Sequence, residues 1–236
     1  MKPSQLIHKV KEEKHSILLI SACSWSKRRD NECEKIIQSF RFKICKDPRV
    51  YTDKFCELNL RFRRCTEKYH STAVDKSSKP YPAFIRYSGY FYKAIEEKSL
   101  ELWMEALKQG WNLLILSAFY GLLQVTEPIR YYNLQISQLN EDCQKILPEI
   151  LNAYLEARPE IEKIIFLTSE TYSRPFINKT IKPIYRLYLK DASGREILGD
   201  YGKDFYSLAG KIFANILSEK EIYSINDSVS AELLAR

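Results

Sequence analysis

Three short apolar runs punctuate the chain: "SILLISA" at 16–22, "WNLLILSA" at 111–118 and "IEKIIFLTS" at 161–169. Each is too short for a buried helix and is bounded by turn-forming or charged residues, the pattern of a strand buried on both faces. Between them the period changes to that of helices. Ser88 is placed to cap a helix starting near Gly89, with Phe91, Ala94 and Ile95 on one face. A second helix carries Leu100, Trp103, Met104 and Leu107 and stops at Gly110. Glu141 to Arg158 reads as one helix, or as two shorter ones broken at Pro148. "DFYSLAGKIFANILSEK" gathers Phe205, Leu208, Ile212, Phe213 and Ile216 on a single stripe. "IYRLYLKD" alternates like an edge or half-exposed strand, and "ASGRE" turns it toward a short partner. Residues 1–14 suggest an arm or a first helix, "ETYSRPFINKTI" a helix or turn, and the last stretch, "EIYSINDSVSAELLAR", a weak helix or tail.

Strands alternating with helices predict an α/β fold, a mixed central sheet flanked by helices. The expected organisation is a single domain over 1–236 with a basic, largely helical insertion at about 30–79, after the first strand. In such sheets, sites collect at the carboxyl ends of the strands. All three buried strands end in small or hydroxylic residues: Ser21, Ala22, Cys23 and Ser24; Ser117, Ala118, Phe119 and Tyr120; Thr168 and Ser169. Such ends let a ligand approach and offer it hydrogen bonds. They equally suit the capping of the helices that follow.

The net charge of +7 is unevenly spread. From Arg41 to Lys68 nine basic residues face four acids, interleaved with Phe42, Tyr51, Phe55, Phe62 and Tyr69. Phosphates and stacked bases suit that mixture, which makes Arg41, Lys43, Arg61, Arg63 and Arg64 candidate nucleic-acid contacts. The alternative is a solvated helix face whose aromatics pack inward.

No apolar run approaches the roughly 20 residues of a membrane span. "SILLISA" has charged flanks and no cleavage site, so the expected location is cytoplasmic, without membrane contact. Most of the six Cys are then expected as reduced thiols. Cys33, Cys45, Cys56 and Cys65 allow a zinc site by number but lack a tight CxxC pair, so no metal and no cofactor is expected.

Five segments in order, "LLISACSWSK", "YSGYFYKAI", "LLILSAFYGLLQVTEPIRYYNLQI", "IIFLTSETYSRPF" and "KDFYSLAGKIFANIL", resemble the YaaA family of peroxide-stress proteins. They also resemble a sister group of uncharacterised domains from DNA-modification and defence gene clusters. The blocks span about Ile17 to Leu217, and "LSAFYGLL" is the most specific. By position the resemblance marks Ser21, Cys23, Ser24 and Lys27; Tyr87, Ser88, Gly89 and Tyr92; Ser117, Tyr120 and Gly121, with Pro128 and Tyr132; and Ser169 and Tyr172. It implies an α/β fold with a large cleft, DNA binding, and a part in limiting oxidative damage to DNA. The "C-S-x-x-K" spacing here fits the sister group better. Between residues 1 and 88 there is no glycine, so a Gly-rich helix-hairpin-helix cannot sit in the basic stretch.

Cys23 and Lys27 lie four residues apart and share a face if their segment is helical. An adjacent ammonium lowers a thiol's pKa and makes it nucleophilic. The rival reading makes Lys27 a phosphate or carboxylate clamp and Cys23 a filler, and the lack of a nearby His or acid favours it. Glu127, just before Pro128, is a candidate base or a surface turn residue. Tyr87, Tyr92, Tyr120, Tyr131 and Tyr132 are candidates to stack on a base. Gly89 and Gly121 would allow close backbone approach.

The candidate reactive set is therefore Cys23, Lys27, Ser117 and Tyr120. The candidate ligand contacts are Ser21, Ser24, Tyr87, Ser88, Gly89, Tyr92, Gly121, Tyr132 and Ser169. Three functions are open: a nucleic-acid-binding protein reading a nucleobase or nucleotide in the cleft, a nucleobase-modifying hydrolase or transferase, and a nucleotide or redox sensor with a protein partner.

Overall fold

The computed structural model describes residues 1–39, 52–96, 100–197, 203–225 and 230–235. In chain order the elements are α1 (Pro3–Glu12), β1 (Ile17–Ala22), α2 (Asp30–Ser39), α3 (Asp53–His70), β2 (Tyr81–Pro82), α4 (Ala83–Arg86), α5 (Tyr90–Glu96) and α6 (Leu102–Lys108). They continue with β3 (Asn112–Ser117), β4 (Gly121–Gln124), β5 (Pro128–Ile129), α7 (Glu141–Glu156), β6 (Lys163–Leu167), α8 (Glu170–Ser173), β7 (Ile184–Lys190), α9 (Lys203–Leu217) and β8 (Ser230–Ala235).

The sheet order is β4-β3-β1-β6-β7-β8. The three apolar runs are β1, β3 and β6, mutually parallel at its centre. Strand β1 is buried along its whole length, as its unbroken apolar pattern requires. Strand β7 continues the parallel set, and β4 and β8 close the two edges antiparallel. The chain leaves β1 for β3 on one side and later reaches β6 on the other. The carboxyl ends of β1 and β6 therefore form a topological switch point, where crevices open in α/β sheets.

One detail differs from the sequence pattern. Strand β7 is not an edge, because β8 pairs with it from Tyr185–Ala235 to Lys190–Ser230. The segment read as a weak helix or tail thus supplies a strand. Of the two readings for Glu141 to Arg158 the single helix holds, with Pro148 inside α7.

The helices pack in two groups. One joins α1, α5 and α6 to α9, where Gly210 is required: a Cβ there would lie 2.4 Å from the Phe91 carbonyl oxygen. The other joins α3 to α7 and β4. Helix α3 buries Phe55, Asn59, Phe62 and Thr66. Asn59 accepts a hydrogen bond from the Leu122 amide at 3.2 Å, and the Thr66 hydroxyl donates to the Phe119 carbonyl at 3.0 Å. A disulfide joins Cys65 of α3 to Cys143 of α7. The expectation of reduced thiols is therefore corrected at these two positions. The pairing also removes Cys65 from the four-cysteine zinc set. Cys23, Cys33 and Cys56 are free, and Cys45 lies outside the described residues.

Candidate functional site

Beyond Ala22 the chain runs through a loop that would be unconstrained by the sheet alone. Buried arginines brace it instead. Arg28 donates to the carbonyls of Ile85 and Tyr87 at 2.5 and 2.8 Å and pairs with Glu96. Arg86, fully buried, returns a bond to the Arg28 carbonyl at 2.7 Å and pairs with Asp30 at 2.8 Å. The Ser88 amide then donates to the Ser26 carbonyl at 3.0 Å. This zips the loop after β1 to the segment entering α5. Gly89 is needed here, since a Cβ would fall 2.0 Å from the Ser24 hydroxyl oxygen.

A cavity of about 660 Å³ opens at the carboxyl ends of β1 and β6, in the crevice the topology predicts. Its floor includes Ala22 and Cys23. Ser24, Ser88, Ser169 and Thr171 supply hydroxyls, and Trp25, Tyr90, Tyr172 and Tyr206 supply aromatic surface. Lys93 and Lys203, both exposed, also line it. Among the described residues no carboxylate side chain lines it. Trp25 is 57% exposed and Tyr90 49%.

Under the floor lies a buried polar cluster. The Cys23 sulfur is 3.6 Å from the Tyr172 hydroxyl. The Tyr132 hydroxyl lies 2.9 Å from that of Tyr87 and 3.0 Å from that of Ser117. Lys27 is buried; its ammonium donates to the Ser24 carbonyl at 2.7 Å and sits 3.9 Å from the Tyr132 ring centre. Burial pushes the Lys27 pKa down to about 8, with the Cys23 charge opposing that shift. Burial pushes the Tyr87 and Tyr132 hydroxyls well above their ordinary range.

Cys23, Ser24, Ser88, Gly89, Tyr92 and Ser169 thus come together on the cavity wall, as their sequence positions suggest. Lys27, Tyr87, Ser117 and Tyr132 form the layer beneath it. Ser21 is buried, and Tyr92 donates to the Ala22 carbonyl beside it at 2.8 Å. Ser117 and Tyr120 turn inward. The Ser117 hydroxyl accepts from the Tyr120 amide at 3.0 Å, and the Tyr120 hydroxyl accepts from the Arg130 amide at 3.1 Å. The first bond closes the β3–β4 hairpin, in which Gly121 takes a φ of +80°, and the second ties that turn to the chain just after β5. The sequence reading overlooked Trp25, Tyr90, Lys93, Lys203 and Tyr206. Trp25 and Tyr90 adjoin marked residues, and that adjacency was the available signal.

The basic candidates fare differently. Arg41 and Lys43 lie outside the described residues. Arg61 pairs with Glu149 at 2.8 Å and Arg63 with Glu127 at 3.2 Å. Glu127 is thereby engaged as an ion-pair partner. Arg64 is exposed, with no ion-pair partner among the described residues. No described helix is long and apolar enough to cross a membrane.

An α/β protein with a mixed sheet and a pocket at its switch point is the class that fold and site define. The family model described as "Peroxide stress protein YaaA" matches residues 24–205, and the chain belongs to that family. No curated protein matches it significantly.

Proposed function

We propose that the protein binds a nucleobase or nucleotide, free or at an accessible position of a nucleic acid, in the cavity at the ends of β1 and β6. One observation carries this reading: exposed Trp25 and Tyr90 and a ring of hydroxyls share a cavity with two lysines and no described carboxylate. Aromatic faces stack on a base, and hydroxyls satisfy its polar edge. Lys93 and Lys203 favour a phosphate attached to it. The Nζ of Lys203 lies 5.8 Å from the Tyr90 ring centre, so base and phosphate subsites adjoin.

Trp25 also provides the test. Trp103 and Trp111 are 1% and 2% exposed, so ligand quenching of tryptophan emission reports on Trp25. Nucleoside monophosphates and short single-stranded oligonucleotides are expected to quench saturably. Salt is expected to weaken the phosphorylated ligands more than the parent nucleosides. Absence of quenching by all three ligand types at millimolar concentration would remove the reading.

A further inference from the structure

The thiol of Cys23 lies where the cavity meets the buried cluster. It is 7% exposed, so only a small reagent reaches the sulfur through the cavity floor. Four residues on, Lys27 is a buried amine with no ion-pair partner among the described residues; it donates to the Ser24 carbonyl and interacts electrostatically with Cys23. The Tyr172 hydroxyl is within hydrogen-bond reach of the sulfur. A proton passed from Sγ to the Lys27 amine yields a thiolate and an ammonium. Each then serves as the counter-charge that the other lacks.

We propose that Cys23 is a peroxide-reactive thiol, converted to a sulfenic acid by a small hydroperoxide entering through this cavity. The thiolate sulfur attacks the terminal oxygen of ROOH. The S–O bond forms as the O–O bond breaks, and sulfur gives up two electrons. The departing RO⁻ takes the proton held by Lys27. The net change is Cys–SH plus ROOH to Cys–SOH plus ROH. A low-molecular-weight thiol reverses it, releasing water and a disulfide of that thiol. The step uses the same cavity as the proposed ligand but needs no nucleotide.

Two other free thiols serve as internal references. Cys33 is completely buried, and burial pushes its pKa up. Cys56 on α3 is half-buried and likewise pushed up, first by burial and then by Glu127 and Asp53. Neither lines the cavity. The charged and titratable groups around Cys23 and Lys27 are Tyr87, Tyr92, Tyr132, Tyr172 and Arg86. Burial pushes the four tyrosines well above the usual phenol range.

The intact protein is treated with hydrogen peroxide and a 1,3-dione that traps sulfenic acids, without nucleotide, and adduct formation is followed by peptide mass spectrometry. The Cys23 adduct is expected to form about tenfold or more faster than those of Cys33 and Cys56. Lys27→Met should slow it about tenfold at pH 7, with the gap closing toward pH 9. Equal rates at Cys23, Cys33 and Cys56 in the unaltered protein would overturn the proposal whether or not the variant folds. So would a Lys27→Met protein that folds and reacts like its parent at pH 7. Because these arms contain no nucleotide, failed quenching of Trp25 leaves the thiol result standing, and a failed thiol result leaves the quenching result standing.

Discussion

The cavity at the ends of β1 and β6 and the basic helix α3 both attract attention as sites, and the structure treats them in opposite ways. On α3 the cations are mostly answered by carboxylates. Lys54 pairs with Glu156 at 2.6 Å, Arg61 with Glu149 and Arg63 with Glu127. Its aromatics Phe55 and Phe62 are core residues. At the cavity, two exposed lysines, one of them Lys203 over the Tyr90 ring, share the lining with no described carboxylate. The charge of a segment counts its own residues and misses the partners the fold delivers. Here α7 arrives from about ninety residues downstream, carrying Glu149 and Glu156.

The largest expected effect asks whether α3 is scaffold or appendage. The Cys65–Cys143 bond closes a loop with a sequence separation of 78. On loop-closure entropy, reducing it should lower unfolding stability by about 4 kcal/mol. Urea denaturation of the unaltered protein with and without reductant measures this, and avoids placing a serine at the fully buried Cys143. An unchanged midpoint would mean that α3 is held loosely enough to act as a separate binding arm.

Lys27 gives the next largest effect, on the cavity side. Burial holds its pKa near 8 against an ordinary 10.5. Between those values the unfolded chain binds more protons than the folded one. Stability therefore rises with pH across this window, by up to about 3 kcal/mol, and the penalty is fully present below pH 8. Lys27→Met lacks this contribution. Urea curves at pH 7.5, 8.5 and 9.5 should show the unaltered protein gaining on the variant as pH rises. A constant difference would mean that the amine is solvated and the cluster is not closed. Smaller still is the effect of Trp25→Ala on ligand binding. Losing one stacking face should weaken nucleotide affinity by about 1–3 kcal/mol. With Trp25 largely exposed, the urea midpoint should hardly move.

The contrast also marks what the residues disclosed in advance. β1, β3 and β6 were legible because burial on both faces leaves an unbroken apolar run of strand length. The crevice followed, since strand ends rich in Ser and Cys leave room there. β8 was not legible, because its partner β7 lies beyond an intervening helix, and pairing at that distance leaves no local period. Ser117 and Tyr120 stand out in the sequence, yet their hydroxyls accept bonds from the Tyr120 and Arg130 amides, one closing the turn after β3 and the other holding the chain after β5. A hydroxyl that closes a turn and one that meets a ligand look alike in sequence. Lys203 and Tyr206 reach the cavity only because the start of α9 is delivered there from late in the chain.

The smallest predicted effect separates the two regions most directly. Arg61 and Glu149 are each about half exposed, so their pair contributes under about 1 kcal/mol, and Arg61→Ala should leave stability almost unchanged. Its effect on nucleic-acid binding should be equally small, because the guanidinium is already paired. Lys93 is exposed on the cavity lining, with no ion-pair partner among the described residues. Each phosphate neutralised on a single strand contributes about 0.7 to the slope of log affinity against log salt. Lys93→Ala should therefore flatten that slope by about 0.7 for a short single-stranded oligonucleotide, while Arg61→Ala leaves it unchanged. Fluorescence anisotropy across a salt series reads both variants in one experiment. If Arg61→Ala flattened the slope and Lys93→Ala did not, the ion pairs on α3 would have to open on binding. The basic helix would then be the nucleic-acid surface, and the cavity a site for a ligand without phosphate.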